Sequence, residues 1–156
     1  WRSACSWPKH VRIFPIVLSP KLLTSQEIDA LTSAAAKVLA EGPFVAAYLY
    51  GSVARGQPAN DIDVAVLFSG AVDWRLVETV AAKLQSAVPG MEMDVRPLNR
   101  AHPRFCANVL REGKLLVERD RKARLEFEAR AIVEWLDFKP VWERQRQLMF
   151  ERWLNG

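Results

Sequence analysis

Two aspartates, Asp61 and Asp63, open the apolar segment DIDVAVLF. Side chains alternate between the two faces of a strand, so both carboxylates are expected on one face, about 6.5–7 Å apart at Cα. Ile62 and Val64 then point to the opposite face, into the core. Two neighbouring carboxylates repel each other, and in a low dielectric one of them would take up a proton. A divalent cation removes this penalty, and hard oxygen ligands predict Mg²⁺, with a pair of ions as the fuller arrangement.

A glycine-serine pair lies upstream, with eight residues between Ser52 and Asp61. Gly51 allows the backbone to bend and to approach a ligand closely. Ser52 offers a hydroxyl and an N–H at the start of a short helix, which is a site for phosphate. Arg55, one turn further on, can reach the same anion with its guanidinium. A phosphate cradle beside an acidic metal site predicts a nucleoside triphosphate bound through Mg²⁺.

A third acidic residue is expected on a neighbouring strand, and residues 91–97 provide one. By alternation Glu92 and Asp94 share a face of that strand, opposite Met93. Asp94 lies mid-strand, where a carboxylate is hard to explain without a function. We assign it as the third carboxylate, which ligates one metal and helps to deprotonate an attacking hydroxyl. Glu92 is interpreted as a structural residue or as a residue exposed at the rim of the predicted site.

Each candidate also has a simpler interpretation that stays open. The aspartate pair could mark a solvated strand end, and Asp94 an exposed acid of an edge strand. Arg55 could form a surface ion pair. Ser52 is expected to act as a helix N-cap in either case.

The elements that must position these residues follow from hydrophobic periodicity. Thr24 and Glu27 form a capping box before a helix that Gly42 and Pro43 end. Strands are predicted at 44–50, 61–68, 91–97 and 114–118, and helices at 52–57, 72–88 and 105–112. This order predicts an α/β or α+β domain, with a small mixed β-sheet flanked by helices and a helical C-terminal tail.

The C-terminal residues 121–156 are predicted to form two helices, broken at Phe138-Lys139-Pro140, with Pro140 in the first turn of the second. Their apolar stripe comprises Trp135, Phe138, Val141, Trp142, Leu148, Met149, Trp153 and Leu154. Such a stripe is typical of a core. Two tryptophans on one terminal helix, Trp142 and Trp153, are also what a partner groove would bind. The tail is therefore expected to pack on the domain, on a partner, or on both.

The composition indicates a globular protein: 156 residues, 50% hydrophobic, with a net charge of +4 that favours anionic partners without choosing among them. Cys5 and Cys106 are interpreted as free thiols of a reducing compartment, the cytoplasm. No apolar run is long enough to cross a membrane, and no RNA-binding module is visible. Residues 1–20 are expected to form a loosely ordered leader and residues 21–120 the domain.

The Gly51-Ser52 pair, Asp61-x-Asp63 and the later Asp94 together resemble the signature of the DNA polymerase β-type nucleotidyltransferase superfamily. The form YGSVARG…DIDVAVLF is most similar to the minimal, MNT-type nucleotidyltransferases. The C-terminal sequence RAIVEWLDFKPVWERQRQLMFERWL is similar to the tail of MNT antitoxins that pair with HEPN toxins.

The resemblance implies a nucleotidyltransferase fold and an antitoxin that transfers AMP from ATP to a tyrosine hydroxyl of a HEPN ribonuclease toxin, which it also binds. It implies that the three aspartates hold Mg²⁺ while Ser52 and Arg55 hold the β- and γ-phosphates. Two alternatives stay open. The family commonly has a longer spacing between Ser and the first Asp, which favours an antitoxin that neutralises by binding alone. A small-molecule nucleotidyltransferase, acting on an antibiotic, would usually need a larger second domain or a dimer.

Overall fold

A computed structural model of the chain describes residues 20–155. Cys5 and all of the predicted leader except Pro20 lie outside the described residues. The elements are α1 (Ser25–Ala40), β1 (Phe44–Tyr50), α2 (Gly51–Ala54), β2 (Asp61–Phe68), α3 (Trp74–Gln85), β3 (Glu92–Pro97), α4 (Pro103–Glu112), β4 (Lys114–Glu118) and α5 (Arg121–Asn155). The predicted strands are thus confirmed, and the helices before residue 121 differ from expectation mainly at their ends.

Local sequence signals explain where several helices begin and end. The capping box is present at α1, where the Thr24 hydroxyl accepts a hydrogen bond from the N–H of Glu27 and the Glu27 carboxylate accepts one from the N–H of Thr24. α4 begins two residues earlier than predicted because Pro103 occupies its first turn, where a missing N–H costs nothing. α2 is shorter than predicted, and Gly56, just beyond it, has a φ of +70°.

The four strands form one mixed sheet in the order β3-β2-β1-β4. β1 pairs antiparallel with both β2 and β4, whereas β2 and β3 run parallel. The sheet has a hydrophobic core on each face. One core contains Leu31 of α1 and Leu84 of α3, and the other contains Cys106 of α4 and Phe127 of α5. Cys106 is a free thiol, as predicted, and it is buried.

The C-terminal tail differs from prediction, because α5 is one helix from Arg121 to Asn155 with Pro140 inside it. Proline removes one backbone hydrogen bond and crowds the preceding turn, which usually ends a helix. Here aromatic residues lie on both sides of the proline in α5. Trp135 lies 6.1 Å from Trp142 between ring centroids, and Phe138 lies 4.8 Å from the His102 ring. After the proline, the guanidinium of Arg104 in α4 lies 4.3 Å from the Trp142 ring centroid, so residues on both sides of Pro140 contact the start of α4.

The distal part of α5 also contradicts the expectation of a core. Trp135, Phe138 and Trp142 are half-buried, but every side chain from residue 143 to 154 is exposed. Among them, Met149 is 72% exposed and Trp153 is 77% exposed. The helix thus extends about 20 Å past Trp142. Within the described chain, neither α5 nor any other helix is long and apolar enough to cross a membrane.

Candidate functional site

The residues that carry the predicted carboxylates lie near the start of the two parallel strands. Asp61 and Asp63 lie on either side of the fully buried Ile62, as alternation predicts. In the register of β2 and β3, Asp63 is beside Asp94 and Asp61 is beside Glu92. The sequence could not show that β2 and β3 are neighbours. Their parallel pairing places the backbone of Asp94 beside that of Asp63.

Asp63 is half-buried, and it lies against the backbone of Gly51. A Cβ on Gly51 would lie 2.1 Å from Oδ2 of Asp63. Gly51 also has a φ of +71°, which an L side chain rarely adopts. Burial raises the pKa of Asp63, and the neighbouring charges of Asp61 and Asp94 raise it further. A cation would relieve this unfavourable charge density.

Asp94 is held by a cation of its own strand. Its Oδ2 accepts a hydrogen bond from Nε of Arg96 at 2.8 Å, and Nη2 of Arg96 lies 2.7 Å away. Among residues 20–155, no group of three or more His, Cys, Asp or Glu side chains is gathered closely enough to hold a metal ion. The donors nevertheless fit Mg²⁺ in their chemistry, since all three are carboxylates. Their backbones lie at neighbouring register positions of β2 and β3.

The phosphate candidates lie at the end of β1. Nη2 of Arg55 donates a hydrogen bond to Oγ of Ser52 at 3.3 Å, so the two predicted phosphate ligands are together. Arg55 also forms an ion pair of 3.1 Å with Glu112, which agrees with its simpler interpretation. Ser52 is not the N-cap: α2 is capped by Tyr50, without a side-chain hydrogen bond, because Gly51 lets the helix begin one residue earlier.

Tyr50 is a site residue that the sequence analysis did not identify. It lies directly opposite Asp63 in the register of β1 and β2, and its ring meets that of Phe105 edge-on at 5.4 Å. Its hydroxyl oxygen is buried and has no hydrogen-bond partner in the described structure. In the sequence, the only indication that Tyr50 belongs to the site was its position next to Gly51. Burial is the main cause that raises its pKa, followed by the charge of Asp63.

A second missed feature is a cavity of about 1130 Å³ beside β3. We call it the β3 cavity, and its principal lining residues are Trp74, Asp94, Arg96, Arg100, Phe105 and Arg130. They come from α3, β3, α4, α5 and the loop between β3 and α4. Asp94 lines the cavity and is also one of the three candidate carboxylates. The cavity is therefore adjacent to the candidate site and lies beside β3, an edge strand of the sheet.

Comparison with solved structures identifies chains of similar fold. A chain of the complex of tri-AMPylated Shewanella oneidensis HEPN toxin with MNT antitoxin is 23% identical, with a TM-score of 0.61 over 81% of this chain and 98% of that one. A chain of a mutant toxin–antitoxin pair MntA–HpeT is 23% identical, with a TM-score of 0.62 over 79% and 98%. A chain of a toxin–antitoxin structure with AMP-PNP is 27% identical, with a TM-score of 0.62 over 79% and 98%. At sequence identities of 23–27%, the structural similarity shows that this chain has the same fold as those chains.

Sequence comparison gives the family. No curated protein matches the chain significantly. Residues 35–122 match the family described as polymerase beta, nucleotidyltransferase. The matched range is more than half of the chain and contains Gly51, Ser52 and all three aspartates. This chain therefore belongs to the polymerase beta nucleotidyltransferase family.

Proposed function

We propose that the protein is an antitoxin that transfers AMP from ATP to a tyrosine hydroxyl of a cognate HEPN ribonuclease toxin and that it binds this toxin. The observation that carries the proposal is the placement of Asp63 between Asp94 on β3 and Gly51 at the end of β1. It brings the carboxylates next to the turn that precedes Ser52. Metal-assisted nucleotidyl transfer needs these two parts side by side.

In this proposal the residues at the end of β1 hold the leaving group. The backbone at Gly51, which has no Cβ, permits a phosphate to approach closely. The Ser52 hydroxyl and the Arg55 guanidinium bind oxygens of the β- and γ-phosphates. Arg55 exchanges its exposed ion pair with Glu112 for the phosphate, which costs little because exposed pairs are weak.

Asp61, Asp63 and Asp94 would hold Mg²⁺, and Asp94 would leave Arg96 to do so. Bound there, Mg²⁺ supplies charge neutralisation and polarisation at the α-phosphate. The acceptor hydroxyl oxygen forms a bond to the α-phosphorus while the bond from that phosphorus to the pyrophosphate oxygen breaks. Asp94 receives the hydroxyl proton and passes it to solvent, and pyrophosphate leaves.

Partner binding is assigned to the distal α5 surface, which consists of Leu148, Met149, Phe150, Trp153 and Leu154. All five side chains are more than half exposed. Exposed apolar groups concentrated on one segment are typical of a protein-binding surface. The toxin–antitoxin complexes of similar fold support a protein partner.

The test is the transfer of label from α-labelled ATP, with Mg²⁺, to the co-purified toxin. Wild type is expected to label the toxin, and the double variant Asp61→Asn/Asp63→Asn is expected to lose the label by at least about a hundredfold. Asp29→Asn, an exposed carboxylate on α1, is the matched control and should retain full transfer. Equal labelling by wild type and the double variant would contradict the proposed carboxylate role.

Two observations favour a second candidate function, neutralisation by binding alone. The carboxylate of Asp94 is engaged by Arg96, and the described residues do not gather into a metal-holding group. In that case neither the wild type nor Asp61→Asn/Asp63→Asn labels the toxin. Both nevertheless bind the toxin and inhibit its ribonuclease activity. A chain that neither labels nor binds a HEPN toxin would contradict both candidates.

A further inference from the structure

The β3 cavity has a cationic part that the proposed function does not use. The charged residues that line the cavity are Asp94 and three arginines, Arg96, Arg100 and Arg130. Arg96 is paired with Asp94. Arg130 lies 3.8 Å from Glu134, and its side chain is 67% exposed. Arg100 is exposed and forms no ion pair with any residue of the described chain. Two guanidinium groups are therefore available to an anionic partner.

This cationic part lies away from the candidate carboxylates. Trp74 follows the end of β2 and Arg100 follows the end of β3, and because these strands are parallel, both residues lie at the same edge of the sheet. Asp94 lies three residues before Pro97, the end of β3, which is about 10 Å along the strand. Trp74 is 65% exposed. We call Trp74, Arg100 and Arg130 the arginine end of the cavity, and it is separate from the site of the carboxylates.

The loop that carries Arg100 is fixed to the sheet. Arg100 has a φ of +58°, in the left-handed region, which is unfavourable for an arginine. Oδ1 of Asn99 accepts a hydrogen bond from the N–H of Phe68 at 2.8 Å, and Nδ2 of Asn99 donates to the Phe68 carbonyl at 2.9 Å. Leu98 is fully buried. The fold therefore presents Arg100 at the cavity at a cost in backbone energy, and strain of this kind is often found at functional positions.

The arginine end is continuous with the distal α5 surface. Arg130 and Leu148 are about five helical turns apart, so both side chains leave the same face of α5. Val141 lies between them on that face and is 51% exposed, and Leu148 is 52% exposed. The loop after β3 also reaches α5, because the ring of His102 lies 4.8 Å from that of Phe138. The span from Arg130 to Leu148 is about 27 Å, which one protein interface of ordinary size covers.

From these observations we propose that the arginine end is an exosite for the same protein partner as the distal α5 surface, and that it binds an acidic segment of that partner. Arg100 and Arg130 pair with Asp or Glu carboxylates, which match the guanidinium group in charge and geometry. Trp74 packs on the aliphatic part of the segment. The inference rests on the proposed function, in which the partner is a HEPN toxin. The exosite adds affinity and orientation and takes no part in the transfer.

The test is the Kd of the complex between this chain and the co-purified HEPN toxin, measured at about 0.05 and 0.5 M salt. Arg100→Glu is expected to raise the Kd at least about tenfold at low salt and less than about threefold at high salt, because salt screens charge pairs at a surface. Arg100→Lys keeps the charge and should stay within about threefold of wild type. In label transfer, Arg100→Glu is expected to raise the KM for the toxin rather than to lower kcat.

The acidic chemistry of the partner is tested by charge reversal on the toxin. Each exposed Asp or Glu of the toxin is changed to Lys in turn. At least one of these changes is expected to weaken the complex with wild type and to strengthen the complex with Arg100→Glu at least about tenfold. Lys37→Glu makes the same charge change on the exposed side of α1. This control should leave the Kd unchanged, and no toxin variant should bind it preferentially.

An unchanged Kd for Arg100→Glu at low salt, or the lack of any compensating toxin variant, would overturn the exosite. The same holds if Arg100→Glu weakens only a single-stranded RNA probe, because the arginines would then serve nucleic acid. If wild type labels the toxin while the Kd of Arg100→Glu is unchanged, the exosite is wrong and the proposed function stands. Toxin binding that depends on Arg100 without any label would contradict the transfer alone. A wild type that does not bind the toxin would contradict both.

Discussion

At the scale of single residues, the candidate site depends on contacts that local sequence patterns do not report. Gly51 is needed for two reasons. Its α-carbon lies against the Asp63 carboxylate, and its backbone conformation is one that L side chains rarely adopt. Tyr50 brings a buried hydroxyl to the same place. Both effects can be separated from ordinary stability effects with matched variants.

Gly51→Ala is expected to destabilise the fold more than Gly56→Ala. The two glycines have φ values of +71° and +70°, so alanine costs about 1–2 kcal/mol in backbone energy at either position. Only at Gly51 does the new Cβ also collide with Asp63, because nothing lies within 4 Å at Gly56. Urea denaturation of both variants measures the difference. Equal losses of unfolding free energy would show that Asp63 moves aside freely.

Tyr50→Phe is expected to leave the free energy of unfolding unchanged or to raise it by about 1 kcal/mol, because a buried hydroxyl without a partner is costly. Tyr48→Phe is the comparison. Its hydroxyl donates a 2.7 Å hydrogen bond to Glu128, so its loss should cost about 1–3 kcal/mol. The measurement is urea unfolding of both variants. A Tyr50→Phe loss as large as that of Tyr48→Phe would contradict the burial of an unpaired hydroxyl.

At the scale of elements, α5 shows how packing overrides a local signal. Pro140 predicts a helix start, yet the helix passes through it. Aromatic residues on both sides of the proline pack on α4, and Trp142 is covered by the guanidinium groups of Arg104 and Arg146, at 4.3 and 4.9 Å from its ring. Such contacts offset the lost backbone hydrogen bond.

Pro140→Ala is therefore expected to stabilise α5, since proline inside a helix costs about 3 kcal/mol relative to alanine. Amide hydrogen exchange of residues 136–150 is expected to slow in this variant. Lys139→Ala, the exposed neighbour, is the control and should change exchange little. If Pro140 instead began a separate helix, alanine would leave exchange unchanged or make it faster, because proline suits a first turn.

At the scale of the whole molecule, the proposed function gives the main body and the distal α5 surface different tasks. The body contains two cores around one sheet. The distal α5 surface contributes nothing to either, since its side chains remain exposed. Stability and partner binding should therefore respond to different substitutions.

The double variant Met149→Glu/Trp153→Asp is expected to change the free energy of unfolding by less than about 0.5 kcal/mol, as exposed substitutions usually do. Its affinity for the toxin should fall by about 2 kcal/mol or more if these residues are binding hot spots. Gln147→Asp, a polar neighbour on the same segment, is the control. Thermal unfolding and complex formation are both measured. Unchanged toxin affinity would place the interface elsewhere.

The sequence by itself determined the strands, the capping box and the shared face of Asp61 and Asp63, because alternation and capping act between residues that are close along the chain. It also supplied Asp94 as a candidate by the same alternation. Only the tertiary structure decided that β3 pairs beside β2, which brings Asp94 next to Asp63. It likewise decided the single α5 and the β3 cavity. These features depend on contacts between distant segments, whose packing energies no local pattern expresses.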